Sequence, residues 1–250
     1  MIYIPDKIKR HLTTDITETD DIGCSKALVR RFGDLYLKQL ETTPYFTREH
    51  AVIEWLQGRL PVPKIIEWYN ENGIDYLLMT KAEGEMSCSE KYLADPENTV
   101  KLLADGLKML WNVDISDCPF DSTVDAMLDQ AEIAVREGNV DVDDWDDDTD
   151  FESPEALLKF LRETKPADDP VFSHGDYCMP NIFIKDKKIS GFIDLGDAGI
   201  SDRWNDISIC TCTMKRNFHT DKYTPLLFEY LGMEQDPDRM LWWKLFDELC

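Results

Sequence analysis

The chain has 250 residues, of which 50 are acidic and 27 are basic, so its formal net charge is −23 at pH 7. A surface this acidic repels nucleic acid and anionic lipid and favours cationic partners. Apolar residues make up 43% of the chain, which is enough for a real core. Their longest runs are only a few residues, too short to span a membrane. We therefore expect a globular protein without a nucleic-acid or membrane partner.

The cysteines and the first residues indicate a cytoplasmic protein. The seven cysteines are scattered, odd in number and free of any CxxC pair, so the pattern predicts free thiols in a reducing compartment. The segment MIYIPDKIKRHL lacks the long apolar region and the cleavage site of a secretory signal.

The first 80 residues predict a small, mainly antiparallel β lobe. Gly33-Asp34 marks a turn into a strand at 35–40, in which Tyr36, Lys38 and Leu40 share one face. A lysine between two apolar neighbours is unusual for a surface charge. It indicates either a lysine that binds nucleotide phosphates or a solvent-facing lysine on an edge strand. Gly23, in a polar turn, is only a weak candidate for a phosphate loop.

A single helix interrupts this lobe. Apolar residues from Phe46 to Leu60 have helical spacing, and Glu49 and Glu54 on this helix are both candidates to orient Lys38. Strands at 64–68 and 74–79 follow, joined by an Asn72-Gly73 turn.

The chain from about residue 87 is mainly helical. Apolar spacing predicts helices at 99–113, at 122–138 and after Ser201 or Asp202. A last helix at 236–250 carries an apolar stripe, which is formed by Leu241, Leu245, Phe246 and Leu249.

The stretch at 171–206 contains the residues most suited to chemistry. Two β-branched and aromatic runs, 181–184 and 189–193, flank a polar turn at 185–188, which predicts a β-hairpin. The start of the first strand and the end of the second should bring Asn181 beside Asp194. An amide oxygen and a carboxylate are hard ligands that suit Mg²⁺ carrying nucleotide phosphates. Asp176, five residues before Asn181, can accept a proton from an attacking hydroxyl.

These residues resemble a known family. The order of an Asp base, an Asn ligand and an Asp ligand matches the protein-kinase template for phosphoryl transfer. The segments HGDYCMPNIF, SGFIDLG and DRWNDI resemble the aminoglycoside phosphotransferases, specifically their 3′ branch. The resemblance implies an α+β, bilobal, protein-kinase-like fold. It comprises a nucleotide-binding lobe at 1–80 with an antiparallel sheet and one helix, a hinge at 81–86, and a mainly helical lobe at 87–250 that carries the catalytic hairpin.

The resemblance also implies roles for individual residues. Glu49 takes the position that pairs with Lys38, which leaves Glu54 solvated, and Asp206 ties its helix to the catalytic loop. Asp176 is the catalytic base, and Asn181 and Asp194 hold Mg²⁺. The cofactor is ATP or GTP. Nucleotide contacts are expected from the side chains or backbone of Tyr36, Lys38, Glu49, Met79 and Ala82.

The acidic segments would bind the acceptor. The run DVDDWDDDTDFE at 141–152 contains eight acids and no base, a pattern that is usually a solvated loop. Trp145 and Phe151 favour instead a loop anchored on the core. The family's equivalent loop and C-terminus bind aminoglycoside ammonium groups, which maps onto Asp143, Asp144, Asp146, Asp247, Glu248 and the Cys250 carboxylate.

The resemblance implies an enzyme that phosphorylates an aminoglycoside hydroxyl, the 3′ position being favoured, and so confers antibiotic resistance. Asp197 departs from the branch, which usually has Arg there, and this puts the substrate range in doubt. A kinase for choline or an amino sugar remains an alternative, and an inactive kinase-like binding module is a further one. We expect a monomer or weak dimer.

Overall fold

The computed structural model describes residues 3–13, 16, 18–20, 27–146 and 149–249, with the backbone alone at 18–20, 44–47 and 144. The strands are β1 (Glu18–Asp20), β2 (Leu28–Phe32), β3 (Leu35–Glu41), β4 (Ile65–Glu71), β5 (Ile74–Thr80), β6 (Glu85–Met86), β7 (Pro170–Ser173), β8 (Ile182–Lys185), β9 (Lys188–Phe192) and β10 (Gly199–Asp202). The helices are α1 (Asp6–Lys9), α2 (Pro44–Leu56), α3 (Glu90–Leu93), α4 (Pro96–Trp111), α5 (Val124–Glu137), α6 (Pro154–Glu163), α7 (Arg203–Phe218), α8 (Thr224–Leu231) and α9 (Pro237–Asp247). The turn that contains Gly23 lies outside the described residues.

The chain divides into two compact units. The first unit comprises residues 1–86 and 181–197, and the second comprises 87–180 and 198–250. The first unit holds two antiparallel sheets and the second is mainly helical, so the predicted α+β class is confirmed. The hinge at 81–86 stays a prediction.

The first unit is built on a five-stranded antiparallel sheet in the order β1-β2-β3-β5-β4. The predicted turn between β4 and β5 is present, with φ of 54° at Asn72 and 75° at Gly73, the left-handed pair that a tight hairpin requires. Helix α2 packs on β4 and β5 through the fully buried Val52 and Leu56. It ends earlier than the predicted Leu60. The short helix α1 was not predicted from the sequence.

The predicted hairpin, β8–β9, belongs to the first unit and forms a three-stranded sheet with β6, in the order β6-β8-β9. Gly84, whose φ is 97°, lies very close to strand β8 of this hairpin. A Cβ added at Gly84 would lie 2.3 Å from the Ile184 carbonyl oxygen, so any larger residue would push the hairpin away.

The second unit is organised around helix α4. Val100, Leu103, Leu107 and Leu110 on this helix are fully buried, and α4 packs against α7, α8 and β7. The antiparallel pair β7–β10, together with α6 and α8, was not predicted from the sequence.

The apolar stripe predicted for the last helix is partly wrong. Leu241 is 52% exposed, whereas Trp242 and Trp243 are 4% and 2% exposed. Two indoles bury more apolar area than one leucine does, so the helix turns that side toward the core. Leu245, Phe246 and Leu249 are buried as predicted.

Cys88, Cys118, Cys178, Cys210 and Cys212 are free thiols, as predicted, whereas Cys24 and Cys250 lie outside the described residues. Within the described parts of the chain, no helix is long and apolar enough to cross a membrane.

Candidate active site

Lys38 lies at the centre of a buried charge cluster in the first unit. It sits on β3, the middle strand of five, so the alternative of a solvent-facing lysine on an edge strand is wrong. The Lys38 side chain is 8% exposed, and its Nζ donates to Glu49 Oε2 at 2.9 Å and to Asp194 Oδ1 at 2.7 Å. Both glutamates lie on helix α2, where Glu49 is buried and Glu54 is exposed. The structure therefore confirms that Glu49, and not Glu54, pairs with Lys38.

The two carboxylates keep Lys38 charged. Burial alone would lower the pKa of Lys38, but the charges of Glu49 and Asp194 outweigh it and raise the pKa above its ordinary value. Lys38 is therefore an ammonium group at neutral pH, held at a fixed position and able to neutralise an anion.

Asn181 and Asp194 lie side by side at the open end of the hairpin, as predicted. Asn181 ends a 3₁₀ turn just before β8 instead of opening the strand, and Asp194 follows β9 by two residues. The Ile193 N–H donates to the Asn181 carbonyl oxygen at 3.1 Å. Asp194 has a φ of 58°, a left-handed conformation that Asp tolerates better than most residues and that often marks a functional position.

The residues expected near the nucleotide base also lie in the first unit. Tyr36 on β3 pairs with Met79 on β5. Ala82 approaches β9 so closely that a Cβ added at Gly191 would lie 3.2 Å from the Ala82 Cβ. This places Ala82 beside the hairpin that carries Asp194, while the nucleotide contacts of all three residues stay a prediction.

Asp176 is half-buried in the second unit, on a loop that Asp206 holds. Asp206, on α7, accepts hydrogen bonds from the His174 N–H at 2.8 Å and the Gly175 N–H at 3.0 Å. The Asp176 N–H in turn donates to His174 Nδ1 at 3.3 Å. The implied role of Asp206 in tying its helix to this loop is therefore confirmed. Of the two residues predicted to cap α7, Asp202 is the N-terminal cap, and its carboxylate accepts a hydrogen bond from the Trp204 N–H at 2.9 Å.

Burial of Asp206 should make the protein less stable as pH rises. Desolvation raises its pKa to about 7, because the bonds from His174 and Gly175 only partly offset it. Since the folded-state pKa is the higher one, the stabilisation is complete at low pH and is lost as pH rises through about 7. From pH 5.5 to 8, the free energy of unfolding of the wild type should fall by about 2 kcal/mol relative to Asp206→Asn. Urea unfolding at four pH values measures this, with Asp105→Asn, whose side chain is 49% exposed, as control. Parallel curves for wild type and Asp206→Asn would contradict it.

The acidic loop and the end of α9 lie together in the second unit. The Trp145 indole N–H donates to the Glu248 carbonyl oxygen at 2.8 Å, and the Glu248 carboxylate accepts from the Asp146 N–H at 3.0 Å and from the Thr149 hydroxyl at 2.6 Å. The Phe151 ring packs on Phe160, with centroids 5.3 Å apart. The aromatic residues therefore anchor the loop as predicted, but on α6 and the end of α9 instead of on the core, since Phe160 is 37% exposed.

An acidic surface results, which we define as Asp143, Asp146, Asp247 and Glu248. The first three are exposed and Glu248 is half-buried. Although Asp247 is exposed, partial desolvation of its carboxylate and the negative charges of Glu248 and Asp176 raise its pKa. The Asp144 side chain and Cys250 lie outside the described residues.

Comparison with known proteins shows the family to which this chain belongs. The profile of the phosphotransferase enzyme family (APH) matches residues 17–243, and the chain belongs to this family. The predicted family and its kinase-like fold are thereby confirmed.

Several members of this family, all aminoglycoside 3′-phosphotransferases, are similar to this chain over most of their length. An aminoglycoside 3′-phosphotransferase of Staphylococcus aureus is 38% identical over 242 residues, which cover 92% of each chain. One of Enterococcus faecalis is 37% identical over 245 residues, covering 94% of this chain and 92% of its own. Among solved structures, an aminoglycoside-3′-phosphotransferase of type VIII superposes with a TM-score of 0.82 over 93% of each chain, at 23% identity.

Proposed function

We propose that this protein transfers the γ-phosphoryl group of ATP to the 3′-hydroxyl of aminoglycoside antibiotics and thereby inactivates them. The observation that carries the proposal is the 37–38% identity to aminoglycoside 3′-phosphotransferases over more than nine-tenths of both chains. The ion-paired group of Lys38, Glu49 and Asp194 supports an active enzyme over an inactive kinase-like module, since such a group serves phosphoryl transfer.

The first unit supplies the groups for the nucleotide. Lys38, kept charged by Glu49 and Asp194, neutralises negative charge on the phosphates. Tyr36 on β3, Met79 on β5 and Ala82, just after β5, receive the base.

The donor set at the hairpin fits Mg²⁺. Among the described residues no group of three or more His, Cys, Asp or Glu side chains could hold a metal. Asn181 and Asp194 offer two hard oxygen ligands, and the Lys38 ammonium group lies 2.7 Å from Oδ1 of Asp194. Magnesium takes one or two protein ligands and completes its shell with water and phosphate oxygens. When bound, it would offset the charge that develops on the phosphates.

The second unit supplies the groups for the acceptor. Asp176 orients the attacking hydroxyl and receives its proton. Positioning matters more than full deprotonation, because the transition state of phosphoryl transfer is loose. The acidic surface binds the ammonium groups of the drug, each charged hydrogen bond contributing about 1.5–3 kcal/mol when well desolvated. Asp144 and the Cys250 carboxylate are proposed to join it.

A panel of acceptors tests this function. We expect nucleotide turnover with kanamycin and none above background with tobramycin, which lacks the 3′-hydroxyl, although tobramycin should inhibit competitively. Choline and simple amino sugars should be inert. The measurement is ADP release in a coupled assay. Equal turnover of kanamycin and tobramycin would exclude the 3′ position, and turnover of choline alone would exclude the drug class.

A further inference from the structure

Lys244 introduces a cation into the acidic surface. It lies on α9, three residues before Asp247, and its Nζ is 3.1 Å from Asp146 Oδ2. Burial and the negative charge of Asp247 raise the pKa of the Cys212 thiol, whereas the positive charge of Lys244 lowers it, so Lys244 and Asp247 both lie within electrostatic range of Cys212. The Lys244 ammonium group thus pairs with the Asp146 carboxylate, which the proposed function assigns to an ammonium group of the drug.

The loop does not depend on this ion pair for its position. Glu248 holds the backbone of Asp146 and the hydroxyl of Thr149, and Trp145 bonds to the Glu248 carbonyl oxygen. These three bonds join the loop to the end of α9 without any contribution from the Lys244 side chain. A purely structural role for Lys244 would therefore duplicate existing contacts.

The ion pair is also easily exchanged. The side chains of Lys244 and Asp146 are 30% and 63% exposed. Exposed ion pairs contribute little net stability, and a lysine ammonium on its flexible four-carbon stem can move into water. A second ammonium group, supplied by a ligand, can therefore replace Lys244 at Asp146.

We propose that Lys244 is a specificity-determining residue that competes with the acceptor for Asp146. The proposal rests on the proposed function, because it takes the acidic surface as the acceptor site. An aminoglycoside must displace the Lys244 ammonium to bind Asp146, so drugs that place an amine there lose affinity. Acceptors that do not reach Asp146 are unaffected.

Replacing Lys244 should therefore improve binding. We expect Lys244→Met to lower the Kd and the KM for kanamycin about two- to fivefold, the scale of an exposed ion pair. The kcat and the KM for ATP should stay unchanged, and Lys244→Arg should keep the wild-type values. The matched control is Lys101→Met, which removes an exposed lysine paired with Asp105 on α4 and should change nothing.

A double-mutant cycle tests whether Lys244 acts on drug binding through Asp146. In an Asp146→Asn background, adding Lys244→Met should lower Kd and KM by a smaller factor than it does in the wild type, because the competition at the Asp146 carboxylate is already removed. Isothermal titration calorimetry measures Kd without turnover, and thermal unfolding reports any structural damage. A raised Kd together with a lowered Tm in Lys244→Met would make Lys244 a structural tie and overturn the proposal. An unchanged Kd would overturn it as well.

Calorimetry separates this inference from the proposed function. If the wild type binds kanamycin without phosphorylating it, the proposed function is wrong, yet tighter binding by Lys244→Met would still support competition at Asp146. If the wild type binds no aminoglycoside, both are overturned.

Discussion

The Asp176→Asn enzyme should lose on the order of 10²-fold or more in kcat, the scale of a positioned acid–base group. Its KM for ATP should stay within about twofold, since Asp176 is assigned to the hydroxyl and not to the nucleotide. Asparagine matches the size of aspartate and can still accept a hydrogen bond from the hydroxyl through its Oδ1, but it cannot take the proton. Initial-rate kinetics with saturating kanamycin measure the change.

The control for Asp176 is Asp168→Asn, an exposed carboxylate in the same unit that pairs with Lys165 at 3.5 Å. It should retain wild-type kcat. Near-normal turnover by Asp176→Asn would remove this residue from the catalytic role.

Loss of the Asp194 carboxylate should be more damaging still. We expect Asp194→Asn to lower kcat/KM on the order of 10³-fold at any Mg²⁺ concentration, because one change removes a charged metal ligand and a partner of Lys38. Asparagine is the right substitution, since it tolerates the left-handed φ of 58° at this position. An alanine would add backbone strain to the chemical loss. Steady-state kinetics over a wide range of Mg²⁺ measure the effect.

The hairpin itself offers a matched control for Asp194. Asp186 lies in the turn between β8 and β9 with a φ of 50°, so Asp186→Asn makes the same chemical change in the same backbone conformation. It should be fully active. Activity of Asp194→Asn restored by excess metal would instead indicate that another residue holds the ion.

The parts of the site that follow local rules could be predicted from the sequence. A hairpin brings the start of one strand to the end of the next, so Asn181 and Asp194 had to be neighbours. Strand alternation put Lys38 with apolar residues, and the helical segment that follows could supply only Glu49 or Glu54. Choosing Glu49 required the family resemblance, since spacing alone leaves both open.

Other features depend on packing between distant segments and could not be predicted in the same way. The pair β7–β10 joins residues about thirty positions apart, and its four-residue strands lack a clear alternation. On α9 the sequence analysis wrongly assigned Leu241 to the buried face, because the adjacent Trp242 and Trp243 are buried in its place. Lys244 was overlooked for a related reason. It reads as an ordinary charge near a helix C-terminus, and only the folded loop shows that Asp146 lies beside it.

The position of the new phosphate on the product tests the central claim most directly. Kanamycin incubated with the protein, ATP and Mg²⁺ would be purified and analysed by two-dimensional ³¹P–¹H NMR. We predict one phosphate per drug molecule, with phosphorus coupled to the proton at carbon 3′. A phosphate at any other carbon, or no phosphorylated drug with folded protein, would contradict the account.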